Sequence, residues 1–172
     1  WENEPKYLVA IADLKDKKQI VFNTQFYRAG YRTISGSTNE RTIIFALLPP
    51  GVVCGHSVAI ESIVSRSNVV VLSFIGVANS FTFDWCGRQM IGSNVSTFIL
   101  WRIPISIENS NKCFISHLAL RLTCNHFGYK LLWHEQLGDT WREPNKKPFT
   151  WPVLVTDEER WEVRSAIDAV VA

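Results

Sequence analysis

Between Tyr27 and Thr42 the chain reads YRAGYRTISGSTNERT, a concentration of side chains suited to nucleic acid. Guanidinium forks pair with phosphate or guanine edges, Asn reads adenine bidentately, Ser and Thr hydroxyls bind phosphate, and Tyr stacks. Within it, Arg28, Tyr31, Arg32, Ser37, Thr38, Asn39 and Arg41 are the candidate DNA contacts. The same residue types also make an ordinary turn, with Arg32 and Arg41 paired to Glu40 or other carboxylates and Ser37 to Asn39 closing the loop. Upstream, Lys15, Lys17 and Lys18 suit phosphate contacts, which fix register but carry no base information. A second group, Trp141, Arg142, Lys146 and Lys147, suits base reading from a variable loop and, equally, a packed aromatic loop with solvated lysines.

Enzymatic chemistry has less to work with. Cys54 and His56 follow a Pro-Pro-Gly turn, and on a strand positions two apart share a face, so the pair is a candidate nucleophile and base without a third orienting group. Cys113, His117, Cys124 and His126 are the nearest approach to a metal cluster, but their spacing matches no structural zinc pattern. There is no glycine-rich phosphate loop, no H-E-x-x-H, no G-x-S-x-G and no CxxC pair.

The elements that must position these residues follow from periodicity. Short apolar runs rich in β-branched and aromatic residues predict strands at Tyr7 to Ile11, Gln19 to Phe22, Phe26 to Ile34, Thr42 to Leu48 and Val52 to Ile60. The cluster Ser35 to Glu40 is then a polar loop on a strand scaffold. From Asn68 to Met90 a small or polar stripe recurs at Ser73, Gly76, Ser80, Asp84 and Arg88, which predicts one largely buried helix with an Asp84–Arg88 pair on its exposed side. Val95 to Ile105 reads as a short helix or strand closed by Pro104. Cys113, His117, Leu120 and Cys124 fall on one face of a further helix, and Gly128 separates it from the aromatic run around Trp133. Gly138 to Pro152 is an irregular loop. Thr156-Asp157-Glu158-Glu159 is a capping box that starts a last helix.

At 172 residues the chain has room for one domain with a real core. Its 47% apolar composition, with seven Trp and ten Phe, excludes disorder. Eighteen Lys and Arg against sixteen Asp and Glu leave +2, so DNA contact must come from a local patch rather than from overall charge. Four cysteines without a secretory leader predict reduced thiols and a cytoplasmic location. Neither Thr42 to Ile60, broken by Pro49, Pro50 and Gly51, nor Ser67 to Phe83 offers the ~20 mostly apolar residues a bilayer needs. Strands in the first third followed by helices predict a mixed α/β or α+β fold.

The run YRTISGSTNERTIIFALLPPGVVCGHS resembles the C-terminal target-recognition region of large adenine-specific DNA methyltransferases of restriction-modification and phage-exclusion (BREX, phage growth limitation) systems. The similarity continues in Asn79-Ser80 with Asp84 and Arg88, like that family's N-S-x-x-x-D-x-x-x-R helix, and in Val95 to Ile105, like its segment ending in L-P-I-P. It ends at Ile167-Asp168-Ala169-Val170-Val171-Ala172, similar to I-D-A-x-V-A. The family's catalytic hallmarks, an N-P-P-Y or D-P-P-Y loop and a glycine-bearing loop for S-adenosylmethionine, have no counterpart here, and Ser106 stands where L-P-I-P has its second Pro. The resemblance implies a target-recognition domain whose partners are double-stranded DNA and a methyltransferase domain of the same polypeptide. S-adenosylmethionine then belongs to that other domain, and this chain itself holds no cofactor or metal. The opening at Trp1 and the uncapped apolar run at the other end fit a piece of a longer protein. A different class of function, docking of a nuclease or partner subunit through an aromatic surface, is the alternative.

Overall fold

A computed structural model describes residues 24–62, 66–105, 107–137, 154 and 156–172. The expected strands Tyr7 to Ile11 and Gln19 to Phe22, and the loop Gly138 to Pro152, lie outside the described residues. Three antiparallel strands, β1 (Arg28–Arg32), β2 (Phe45–Leu48) and β3 (Val58–Ile60), form a sheet in the order β2-β1-β3. Tyr31 faces Phe45 on one side and Ala59 on the other. As the middle strand, β1 is covered on both sides, and its first residues are buried without alternation. β2 alternates instead, with Phe45 and Leu47 inward and Ala46 outward. It ends at Pro49-Pro50, where Gly51 takes φ 83, a left-handed conformation that glycine enters without steric cost.

The helices follow: α1 (Asn68–Ala78), α2 (Phe81–Arg88), α3 (Thr97–Leu100), α4 (Asn109–Thr123), α5 (Lys130–Leu137) and α6 (Asp157–Val171). The fold is thus mixed α+β, as the order of strand and helix patterns predicts. α1 is apolar almost all round and lies between sheet and helices, with Val71, Leu72, Ile75, Val77 and Ala78 buried. Gly76 lets α4 approach closely, since a Cβ there would stand 2.5 Å from Ile115 Cγ2. A smaller apolar cluster, Leu118, Leu154, Val163 and Ile167, seats α6 against α4. The α6 capping box forms as expected: Glu159 N–H donates to Thr156 Oγ1 at 3.2 Å and Thr156 N–H to Glu159 Oε2 at 3.1 Å.

One helix expectation is corrected. The span Asn68 to Met90 is not one helix but two, bent by 61° at Asn79-Ser80. Ser80 is the N-cap of α2, accepting from Phe83 N–H at 3.2 Å, while the Asn79 side chain is turned to the backbone of β2. On α4 the buried residues are Ile115, Ser116, Leu118, Ala119 and Leu120, while Cys113, in its first turns, is exposed and Cys124, its C-cap, is buried. Among the described residues no single helix is long and apolar enough to cross a membrane.

Candidate functional site

The polar loop between β1 and β2 is held through its backbone by side chains from the α1–α2 junction. Asp84 is buried, and its Oδ1 accepts from the Thr42 and Ile43 N–H groups at 2.9 and 2.7 Å. Its Oδ2 accepts from Arg88 Nε at 2.9 Å. Arg88 in turn donates through Nη1 to the Ser37 carbonyl at 3.1 Å and through Nη2 to the Glu40 carbonyl. Asn79 closes the far end, with Oδ1 accepting from Phe45 N–H and Nδ2 donating to Phe45 C=O, each at 2.9 Å. A carboxylate can only accept and a guanidinium can only donate, so the two side chains take opposite backbone partners on the same loop. The Asp84–Arg88 pair is therefore made, but with Asp84 inside the protein, not on an exposed side. Gly87 allows α2 to sit this close, because a Cβ there would lie 2.2 Å from Ile43 Cδ1.

Inside the loop the buried Ser35 hydroxyl accepts from Arg32 Nη2 at 2.9 Å and from Asn39 Nδ2 at 3.3 Å. Thr42 Oγ1 donates to the Gly36 carbonyl at 3.2 Å. Beyond Arg32 the chain pairs with a second segment, through Val95 N–H to Thr33 C=O at 2.7 Å and Ser35 N–H to Ser93 C=O at 3.1 Å. Loop backbone and loop root are thus fixed, whereas Ser37, Thr38, Asn39 and Glu40 are exposed. Such a loop presents side chains without losing much backbone freedom on contact.

The candidate residues separate into different environments. Arg28 is a correction: it is 3% exposed, donates to the Val52 carbonyl, and its guanidinium pKa is lowered by burial, against the opposing influence of Cys54 and Glu61. As part of the interior it is removed from any surface phosphate. Tyr31 is half-buried, with its ring 5.2 Å from Phe45 and its hydroxyl 3.0 Å from Thr97 Oγ1. Arg32 and Arg41 are half-buried and adjacent, Arg32 Nη2 donating to the Arg41 carbonyl at 3.3 Å. Neither pairs with Glu40 or any other carboxylate among the described residues, where the ion pairs are Arg66–Glu61 and Arg88–Asp84. Lys15, Lys17, Lys18, Trp141, Arg142, Lys146 and Lys147 lie outside the described residues.

Cys54 and His56 sit in the turn before β3 rather than on a strand, so the shared-face geometry expected of them is not formed. Burial raises the Cys54 thiol, with Arg28 opposing, which disfavours the thiolate needed for nucleophilic attack. The Cys124 thiol is pushed up to about 12 by burial. Among the described residues no group of three or more His, Cys, Asp or Glu is arranged to hold a metal ion.

A cleft of about 550 Å³ opens beside the loop, with Arg32, Asn39, Glu40 and Arg41 on one side. Its other side is α6, which contributes Arg160, Arg164 and Asp168. None of the three was given a site role from sequence, where Asp168 enters only through the terminal I-D-A-x-V-A resemblance, although their spacing of four places them on one helical face. Arg164 lies over the Trp161 ring at 5.4 Å and Arg160 Nη2 donates to the Leu122 carbonyl at 3.4 Å. Compared with known protein families, curated proteins and solved structures, the chain shows no match.

Proposed function

We propose that this chain is a duplex-DNA recognition domain of an adenine-specific DNA methyltransferase of the restriction-modification or phage-defence type. In this reading it positions DNA while a catalytic domain elsewhere in the polypeptide, carrying S-adenosylmethionine, methylates a flipped adenine. The reading is supported above all by the loop's construction: its backbone is fixed by Asp84, Arg88 and Asn79, and its Ser, Thr and Asn side chains face solvent beside arginines without carboxylate partners. Two of the stretches that carry the resemblance, S-T-N-E-R-T and N-S-x-x-x-D-x-x-x-R, are hydrogen-bonded to each other, so they act as one unit. Ser37, Thr38 and Asn39 are the candidate contacts to DNA, with Arg41 on a phosphate. Arg41→Ala then weakens binding about equally on all duplex sequences and lowers the log-affinity against log-salt slope by about one. Unchanged affinity and slope would refute the assignment.

A second reading, docking of a nuclease or partner subunit, draws on exposed aromatics. Trp101 is 81% exposed and Phe98 60%, on and next to α3, and Trp85 is 54% exposed on α2. Loss of partner binding on Trp101→Ser, with DNA affinity unchanged, would favour it.

A further inference from the structure

We propose that the cleft between the loop and α6 is a site for one phosphodiester of a nucleic-acid strand, held by Arg32 and Arg41 from the loop wall and Arg160 and Arg164 from α6. The inference deepens the DNA reading and rests on it only in naming a strand as the source of the phosphate. Four guanidiniums line the cleft with two carboxylates, Glu40 and Asp168. Neither carboxylate is in an ion pair with any of the four, and Asp168 Oδ1 already accepts from Phe81 N–H at 2.7 Å. Two guanidinium nitrogens in this group, Arg32 Nε and Arg41 Nη1, are buried with no acceptor among the described residues. What carries the site is that the four guanidiniums lining the cleft have no carboxylate partner, and the two unesterified oxygens of a phosphodiester can accept from a guanidinium bidentately.

The rest of the cleft suits an ester rather than a free ion. Its lining includes the exposed Ile44 and the half-buried Leu122, apolar side chains that offer surface to a sugar or base attached to the phosphate. Trp161, 55% exposed beneath Arg164, extends that surface along α6 and steadies the guanidinium by a cation–π contact.

The test is an NMR titration of the nitrogen-labelled chain that follows the arginine Nε–H signals. Thymidylyl-thymidine, which carries a single phosphodiester, is compared with inorganic phosphate and with chloride at equal ionic strength. The expected result is a saturable shift of the Arg32 and Arg164 signals by the dinucleotide, tighter than with inorganic phosphate and absent with chloride. In Arg160→Gln/Arg164→Gln, with its amide spectrum confirming the fold, dinucleotide binding falls about tenfold. Absence of a saturable shift in the wild-type chain overturns the site, as does unchanged affinity in the folded double variant, and inorganic phosphate binding as tightly as the dinucleotide overturns the strand as its source. If the wild-type chain fails to bind duplex DNA yet binds the dinucleotide through these arginines, the DNA-recognition reading fails while the cleft assignment stands.

Discussion

Removing the Asp84 carboxylate tests how the loop is held. Asp84→Ala deprives the Thr42 and Ile43 N–H groups of their acceptor and leaves Arg88 Nε without its anion. Thr42 is 0% exposed and Ile43 1%, so water reaches these amides only if the loop opens. An unmet buried donor costs roughly 1–3 kcal/mol, and breaking a buried ion pair from one side costs roughly 3–5 kcal/mol. The terms overlap, and Arg88 is partly exposed and keeps its bonds to the Ser37 and Glu40 carbonyls, so the expected loss is about 3 kcal/mol. Asp84→Asn retains a carbonyl oxygen for the two amides but sets an NH2 group against the Arg88 donor, and loses about half as much. Urea unfolding of the three proteins measures the stabilities, and hydrogen exchange locates the effect at Thr42 and Ile43. A loss below about 1 kcal/mol in Asp84→Ala, with both amides still protected, would show that the Asp84 carboxylate does not hold the loop.

Three further outcomes follow from the packing. Burial, with a smaller contribution from Arg121, lowers His117 from 6.5 to about 4, so between these values the unfolded state binds more protons. Stability should fall as pH drops through that window and level off below it, with a slope under about 1.4 kcal/mol per pH unit, and His117→Gln should flatten the profile in urea melts. Gly76→Ala gains helix propensity of about 1 kcal/mol but presses its methyl on buried Ile115, for a net loss of roughly 1–2 kcal/mol. A more stable variant in thermal melts would show that α1 and α4 have room between them. Iodoacetamide followed by mass spectrometry should label exposed Cys113 in the native protein and spare Cys124 until it unfolds, and early labelling of Cys124 would contradict its burial.

What could be read in the sequence was local. The apolar run that ends at Leu48, the Pro-Pro-Gly stop and the Thr156 capping box each rest on neighbours in the chain, and each forms, with the strand confined to Phe45–Leu48. The Asn68 to Met90 stripe was misleading because period and spacing do not distinguish a continuous polar face from a cap. Ser80 occupies a helical position in the pattern, yet its hydroxyl caps the start of a second helix just after the first ends at Asn79. Spacing also paired Asp84 with Arg88 correctly without showing that the pair points inward, since the burial of Asp84 depends on the loop backbone that covers it. Arg28 belongs to the same run as the loop residues but lies at the start of the middle strand, where it is buried and donates to the Val52 carbonyl. The cleft was the least legible part of the site. Arg160 and Arg164 line the same cleft as Arg41 only through the packing of α6 on α4, which brings together distant segments that no local pattern records.

Whether this chain holds duplex DNA, as proposed, is decided by fluorescence anisotropy with a randomised duplex and a matched single strand, titrated across salt. The expected result is binding that prefers the duplex and weakens linearly in log affinity against log salt. Absence of duplex binding at low salt, or binding indifferent to salt, would contradict it.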